Sequence, residues 1–180
     1  RDVYDNVAGA AGSGSTKTRN RQAFDRWRIV PQAMREVRDR DLSVSLFNRA
    51  LPAPLGIAPV GSQTLYHDDG EVAAARAAAR LGVPFTLSTG SSASLEEVAE
   101  AMDEAVTEAD DDTHRTPDTD GATRVFQLYV VEDRDVVRSL VTRAEAAGYD
   151  AIFVTVDGPI SRWRPRNLQN DFTASDHVTK

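Results

Sequence analysis

The sequence predicts an α/β protein in which helices cover a parallel sheet. Short apolar segments alternate with helical patterns from Leu55 onward, in the order strand, helix, strand, helix, strand, helix, strand. The predicted strands are apolar on both faces, which is typical of parallel strands buried between other layers. With 180 residues, of which 41% are hydrophobic, the chain is large enough to bury a core against that sheet.

Four short apolar segments are the predicted strands. In chain order they are residues 55–58, 84–88, 124–129 and 151–155. Three helical patterns separate them, covering residues 71–81, a segment that opens at Ser94, and residues 133–147. Local signals support the helix ends. Gly82 and Gly148 follow the first and third helices as C-terminal stops, and Ser94 with Glu97 forms a capping box at the start of the second.

The pattern breaks between Met102 and Thr123, a segment that we predict to be an acidic surface insertion. It contains consecutive aspartates at residues 110–112 and a turn-rich run at residues 117–121. It lacks apolar periodicity, as solvated connections do. A metal site is the alternative interpretation of a segment with so many carboxylates. Their spacing is not that of a calcium-binding loop, and we expect no bound metal.

The amino-acid composition excludes several classes of function. The absence of cysteine excludes disulfides, thiolate metal sites and cysteine nucleophiles, and the net charge of −7 argues against a general nucleic-acid binder. No apolar segment is long enough to cross a bilayer, so we expect a cytoplasmic protein with no membrane span. Lys17 and Lys180 are the only lysines, and aspartate outnumbers glutamate. This balance is typical of halophilic proteins, or else of a high-GC genome that favours arginine codons.

The carboxyl ends of parallel strands hold the active site in α/β folds, so the residues delivered there are the candidates. They are Pro59, Val60 and Gly61 after the first strand, Ser88 on the second, Gln127 and Tyr129 on the third, and Thr155 on the fourth. Taken singly, each has a structural explanation, such as the satisfaction of loose backbone groups. Taken together with the arginine-rich loop at residues 162–166, they suit a planar heterocycle and an anionic substrate.

Six segments resemble, in order and spacing, the glycolate oxidase and lactate oxidase family of FMN-dependent α-hydroxy-acid oxidoreductases. They are residues 20–24, 58–61, 73–78, 126–129, 143–148 and 154–157. A further segment, residues 163–168, particularly resembles lactate 2-monooxygenases. The resemblance implies a (β/α)8 TIM barrel of which this chain holds the N-terminal half, about four βα units. Residues 1–54 would form an N-terminal helical segment and pre-barrel strands, and residues 55–180 the first half of the FMN-binding barrel.

The resemblance also implies which residues would bind the cofactor, FMN. The backbone of one loop would lie against the central ring of the flavin, and three side chains would hydrogen-bond the polar edge of the isoalloxazine. The loop residues are Pro59, Val60 and Gly61, and the side chains are those of Ser88, Gln127 and Thr155.

Two residues would contact the substrate. Tyr129 would be a catalytic residue with its phenol at the substrate hydroxyl or the developing carbonyl oxygen, and Arg164 would bind the substrate carboxylate as a planar, two-pronged cation. Asn6 stands where the family places a tyrosine that helps to hold this carboxylate. Gly61, in place of alanine, resembles the monooxygenase branch and leaves room beside the flavin. Gly90 leaves room for a substrate side chain larger than the methyl group of lactate.

The expected function is FMN-dependent oxidation of an L-2-hydroxy acid, lactate-like and in the manner of lactate 2-monooxygenase. The family's catalytic histidine is expected in a missing C-terminal half, because we expect His67, His114 and His177 to be solvated. Two alternatives stay open: an inactive truncated fragment of such an enzyme, and a different FMN barrel such as a type 2 isopentenyl diphosphate isomerase. We expect the parent enzyme to be a homo-oligomer that binds a small 2-hydroxy acid.

Overall fold

The computed structural model describes residues 2–109, 121–157 and 163–172. Its helices are α1 (Asp2–Ala8), α2 (Ser15–Ala23), α3 (Gly70–Leu81), α4 (Leu95–Ala109), α5 (Arg134–Ala146) and α6 (Pro165–Gln169). Its strands are β1 (Val44–Leu46), β2 (Arg49–Leu51), β3 (Phe85–Ser88), β4 (Arg124–Tyr129) and β5 (Ala151–Thr155). No helix in these ranges is both long and apolar enough to cross a membrane.

The described residues fall into two compact units. One contains residues 2–41 and 163–172, and the other contains residues 42–109 and 121–157. This division differs from the predicted boundary at residue 54, because contacts distant in sequence decide it. Within the larger unit, Arg49 at the start of β2 pairs with Asp150 before β5 at 2.7 Å. Within the smaller unit, Arg166 of α6 pairs with Asp5 of α1 at 3.3 Å.

Strands β3, β4 and β5 form a parallel sheet in that order, as predicted for three of the four segments. The segment 55–58 is not a full strand, and this part of the prediction is corrected. It makes one isolated parallel bridge to β3, in which the Thr86 N–H donates to the Ile57 carbonyl at 3.0 Å. Pro59 has no N–H to donate to β3, so the pairing does not continue beyond Ile57.

The core lies between one face of the parallel sheet and helices α3, α4 and α5. The sheet contributes Phe85, Leu87, Phe126 and Leu128, and the helices contribute Ala75, Ala78, Ala79, Val98, Met102, Ala105 and Ala144. The alanines of α3 allow its backbone to approach the sheet closely. Side chains alternate along a strand, so the residues between these apolar ones lie on the opposite face.

Local signals set the helix ends as predicted. Gly82 follows α3 in the left-handed conformation with φ 66°. At the start of α4, the backbone N–H and the hydroxyl of Ser94 both donate to Glu97 Oε2 at 2.8 Å, and the Glu97 N–H donates to Ser94 Oγ at 3.2 Å. The bonds from the Ser94 N–H and hydroxyl lower the pKa of Glu97. The Asp133 carboxylate caps α5 in the same way, through two backbone N–H groups.

Helix α4 corrects the predicted extent of the acidic insertion. The helix continues to Ala109, well past the predicted start at Met102, and Met102 and Ala105 are fully buried. Thr123, the predicted last residue of the insertion, is buried as well. The acidic residues in this part of α4 lie on the exposed face of the helix. Because they outnumber the buried apolar residues between them, the sequence pattern suggested a polar loop. Residues 110–120 lie outside the described residues.

An ion pair connects α4 with α5. Arg143 Nε and Nη2 donate to the two carboxylate oxygens of Glu96 at 2.8 and 2.7 Å. The hydrogen bonds from Arg143 lower the pKa of Glu96 from 4.5 to about 2. The stabilisation from this pair is therefore fully present above pH 4.5, the unfolded-state pKa, and is lost as the pH falls toward 2.

We expect Glu96→Gln to lower the free energy of unfolding at neutral pH by less than about 1 kcal/mol, because both side chains are roughly half exposed. The difference from the unaltered protein should shrink as the pH falls from 4.5 toward 2. Urea unfolding at a series of pH values measures this difference. Glu100→Gln, at an exposed position of the same helix, is the control. A difference that stays constant over this pH range would contradict the assignment.

Candidate functional site

Three of the predicted side chains form one hydrogen-bonded row across the carboxyl ends of β3, β4 and β5. The Ser88 hydroxyl donates to Gln127 Oε1 at 3.1 Å, and Gln127 Nε2 donates to Thr155 Oγ1 at 2.8 Å. The strand register explains this row. Ser88 lies opposite Gln127, and Thr155 lies opposite Tyr129, two residues further along β4. All of these positions share the sheet face that points away from the helices.

This neutral row (Ser88, Gln127 and Thr155) has a defined hydrogen-bond polarity. The Gln127 amide directs its oxygen to Ser88 and its NH₂ to Thr155, and the residue is 4% exposed. Ser88 Oγ also accepts from the Gly90 N–H at 3.2 Å. A buried polar group without partners would cost about 1–3 kcal/mol, so these bonds explain how glutamine is accommodated inside the sheet. The row consists of amide and hydroxyl groups and carries no charge.

Thr89 connects the end of β3 to β4; the sequence placed it at the end of that strand but assigned it no role. Its N–H donates to the Gln127 carbonyl at 3.0 Å, and its Oγ1 accepts from the Tyr129 N–H at 3.0 Å. The hydroxyl thereby satisfies the backbone at the end of β4. Tyr129 itself is 40% exposed, unlike the row beside it. The only local signal for Thr89 was a hydroxyl side chain directly after a strand.

The loop that contains Gly61 lies against the loop that follows β3. The N–H and the hydroxyl of Ser62 donate to the Gly90 carbonyl at 2.8 and 3.3 Å. A Cβ added at Gly61 would lie 2.9 Å from the Gly90 oxygen, too close for ordinary packing. The expectation that Gly61 leaves open room is therefore corrected, because the neighbouring loop fills that space. Pro59 and Val60, in the same loop, are exposed.

Arg164 belongs to the smaller compact unit, where it is half-buried before the first turn of α6. Its Nη1 donates to Asn6 Oδ1 at 2.7 Å, and Asn167 Nδ2 donates to the same oxygen at 2.9 Å. Asn6 therefore acts as an acceptor for the predicted carboxylate-binding arginine. This contact orients the guanidinium, since it ties one nitrogen to α1.

The three histidines were expected to be solvated. His67 is exposed, and its Nδ1 accepts from the Asp69 N–H at 3.2 Å, which agrees with that expectation. His114 and His177 lie outside the described residues. Within the ranges that the structure describes, no cluster of three or more histidine, aspartate or glutamate side chains is arranged to hold a metal ion.

Comparison with known proteins identifies the family. A model of the FMN-dependent dehydrogenase family matches residues 1–180. The chain belongs to the FMN-dependent dehydrogenase family. It is 38% identical to an FMN-dependent alpha-hydroxy acid dehydrogenase of Penicillium citrinum over 94% of this chain and 38% of that protein. It is 36% identical to L-lactate oxidase of Lysinibacillus sphaericus over 93% of this chain and 39% of that protein.

Solved structures of family members agree in fold. A crystal structure of mandelate oxidase with benzoyl-formic acid matches 99% of this chain and 48% of that chain, with a TM-score of 0.82 and 36% identity. This chain thus spans less than half the length of these relatives. FMN is the cofactor of the family, and a mandelate oxidase variant has been solved with an FMN adduct. The neutral row and the two closely packed loops fit such a planar, uncharged ring system.

We expect Gly61→Ala to destabilise the protein by about 1–3 kcal/mol, because the new methyl group must displace the Gly90 carbonyl. Gly90→Ala is the matched control, since Ser88 Oγ at 3.8 Å is the nearest atom to its added Cβ. Its effect should stay within about 0.5 kcal/mol. Thermal unfolding of both variants without cofactor measures the difference. Equal stability of the two would show that the loops are not closely packed at Gly61.

Proposed function

We propose that this chain supplies the FMN-binding face and the carboxylate-binding arginine of an enzyme that oxidises an L-2-hydroxy acid. The observation that carries the proposal is the neutral row at the carboxyl ends of three adjacent parallel strands. In parallel α/β folds, ligands bind at that end of the sheet. The relatives support the substrate class, since they include an alpha-hydroxy acid dehydrogenase, a lactate oxidase and a 4-hydroxymandelate oxidase.

Two kinds of group would hold FMN. The backbone of Pro59, Val60 and Gly61 would lie against the ring, and the neutral row would hydrogen-bond its polar edge. When bound, FMN supplies the acceptor for the two electrons that the substrate loses. The row itself orients the ring through hydroxyl and amide groups that do not ionise near neutral pH. Its hydrogen bonds between neighbouring strands hold these groups in place before the cofactor arrives.

Tyr129 and Arg164 would bind the substrate. The Tyr129 side chain is 40% exposed beyond the neutral row, so its phenol is available to the substrate hydroxyl. The Arg164 guanidinium has five N–H donors, and its bond to Asn6 uses one. The planar fork can then hold a carboxylate through two parallel hydrogen bonds. Asn6 would keep the fork in one orientation as the substrate enters.

The substrate must also lose a proton, and none of these residues is a base suited to neutral pH. We propose that a histidine beyond this chain removes it, and that further βα units close the (β/α)8 barrel around the site. This chain covers 48% of the mandelate oxidase chain, so residues beyond it would supply the remaining half of such a barrel. On this proposal the chain by itself is inactive.

Two features of the chain bear on the reaction product and on the size of the substrate. The segment 163–168 favours a lactate 2-monooxygenase reaction, in which lactate and O₂ give acetate, CO₂ and water. The oxidase reaction would instead give pyruvate and hydrogen peroxide. Gly90 favours a substrate with a side chain larger than methyl, because among the described residues Ser88 Oγ, at 3.8 Å, is the nearest non-adjacent atom to a Cβ placed there. Product analysis with lactate and with mandelate under air separates these outcomes.

FMN titration of this chain and of the complete protein tests the proposal. The titration is made in high salt, which suits the acidic composition, and is followed by visible absorbance. We expect L-lactate or a larger 2-hydroxy acid to bleach the flavin in the complete protein only. A complete protein that binds no FMN would overturn the proposal. Bleaching by this chain alone would overturn the assignment of the base to the remaining half.

We expect Arg164→Lys in the complete protein to lower kcat/KM for the 2-hydroxy acid about 10- to 100-fold with FMN retained, because lysine cannot form the two-pronged contact. Arg166→Lys, an exposed neighbour that pairs with Asp5, is the matched control and should leave turnover nearly unchanged. Unchanged turnover of the 2-hydroxy acid in Arg164→Lys would show that Arg164 does not bind the substrate carboxylate. A complete protein that binds FMN but turns over no 2-hydroxy acid would instead favour a different FMN barrel, such as the isopentenyl diphosphate isomerase, whose substrate has no carboxylate.

A further inference from the structure

Glu71 is a buried carboxylate outside the groups proposed to contact FMN and substrate. It lies in the first turn of α3, and none of its surface is exposed. Its Oε1 accepts from two backbone N–H groups, those of Gln63 and Ser92, each at 3.0 Å. Its Oε2 is buried without a hydrogen-bond partner among the described residues. Such an arrangement is costly, so a carboxylate kept there calls for an explanation beyond packing.

The two N–H groups belong to two different loops. Gln63 lies in the loop that begins with the proposed FMN-facing backbone at residues 59–61, and Ser92 lies in the loop that follows Ser88. The loops also contact each other directly, since Thr64 Oγ1 donates to Ser92 Oγ at 2.8 Å. One carboxylate oxygen therefore joins both loops to the start of α3. The positive end of the helix favours a negative charge at this position.

A hydrogen bond within the first loop restrains it further. Gln63 Nε2 donates to the Val60 carbonyl at 3.1 Å, so the residue whose N–H is bound by Glu71 also restrains the exposed backbone. The second loop is restrained at Gly90, whose carbonyl accepts from Ser62. Displacement of Gln63 or Ser92 would thus be transmitted to the backbone on both sides of the proposed cofactor site.

On the basis of the proposed function, we infer that Glu71 is a positioning residue that sets the spacing between the two FMN-facing loops. It acts through the backbone of Gln63 and Ser92, and it determines where Val60, Gly61 and Ser88 stand relative to the flavin. What matters is an acceptor oxygen at the right distance rather than the negative charge. Errors of about 1 Å in such supporting contacts are enough to impair a site.

The test compares Glu71→Ala, Glu71→Gln and Glu71→Asp in the complete protein, with Glu100→Ala on the exposed face of α4 as the control. Hydrogen exchange of residues 60–65 and 88–93 is measured without FMN, and the FMN dissociation constant and midpoint potential are measured well below the unfolding temperature. Glutamine keeps the acceptor oxygen without the charge. Aspartate keeps the charge but is too short to reach both N–H groups, and it replaces alanine if that variant does not fold.

We expect alanine and aspartate to speed exchange in both loops about tenfold and to weaken FMN binding about 10- to 100-fold, with a shifted midpoint potential. Glutamine should remain within about threefold of the unaltered protein, as should the control. Lower thermal stability with unchanged FMN affinity, potential and loop exchange would overturn the inference, and so would a glutamine variant as impaired as alanine. An unaltered protein that binds no FMN would overturn the proposed function instead, and the exchange data would still decide whether Glu71 joins the loops.

Discussion

The parallel pairing of β3, β4 and β5 is the constraint on which the rest of the structure depends. Its register places Ser88 beside Gln127 and Tyr129 beside Thr155, so that polar ends of three strands meet in one row. The same register places Phe126 and its apolar neighbours against the helices. Because side chains alternate with a period of two, a slip of one residue would put Gln127 into the helix-facing core. The same strand register is therefore required for the packing of the core and for the geometry of the site.

The site also depends on two loops that approach each other through their backbones. Gly61 permits this approach, because a side chain there would collide with the Gly90 carbonyl. Glu71 then connects the loops through one buried oxygen. The result is a surface made of backbone and small neutral groups, which suits a flat ring better than a surface of long side chains would.

Much of the fold could be predicted because its signals are local. The capping box of Ser94 and the left-handed Gly82 each act within one helical turn, and they placed the helix ends within a residue. Two predictions about the fold were wrong because they depended on contacts that are distant in sequence. The end of α4 was missed because its acidic residues face solvent while Met102 faces the core, and the segment 55–58 pairs at Ile57 alone. Burial and strand pairing both depend on distant parts of the chain.

The sequence by itself determined the α/β class, the family and cofactor, and the residue types at the strand ends, because strand–helix alternation and short motifs can be recognised over a few neighbouring residues. Only the tertiary structure decided that the Gln127 amide lies between Ser88 and Thr155, that Asn6 orients Arg164, and that Glu71 holds two loops together. These contacts join residues from 8 to 158 positions apart. Hydrogen bonds over such separations depend on the path of the folded chain, which no local pattern specifies.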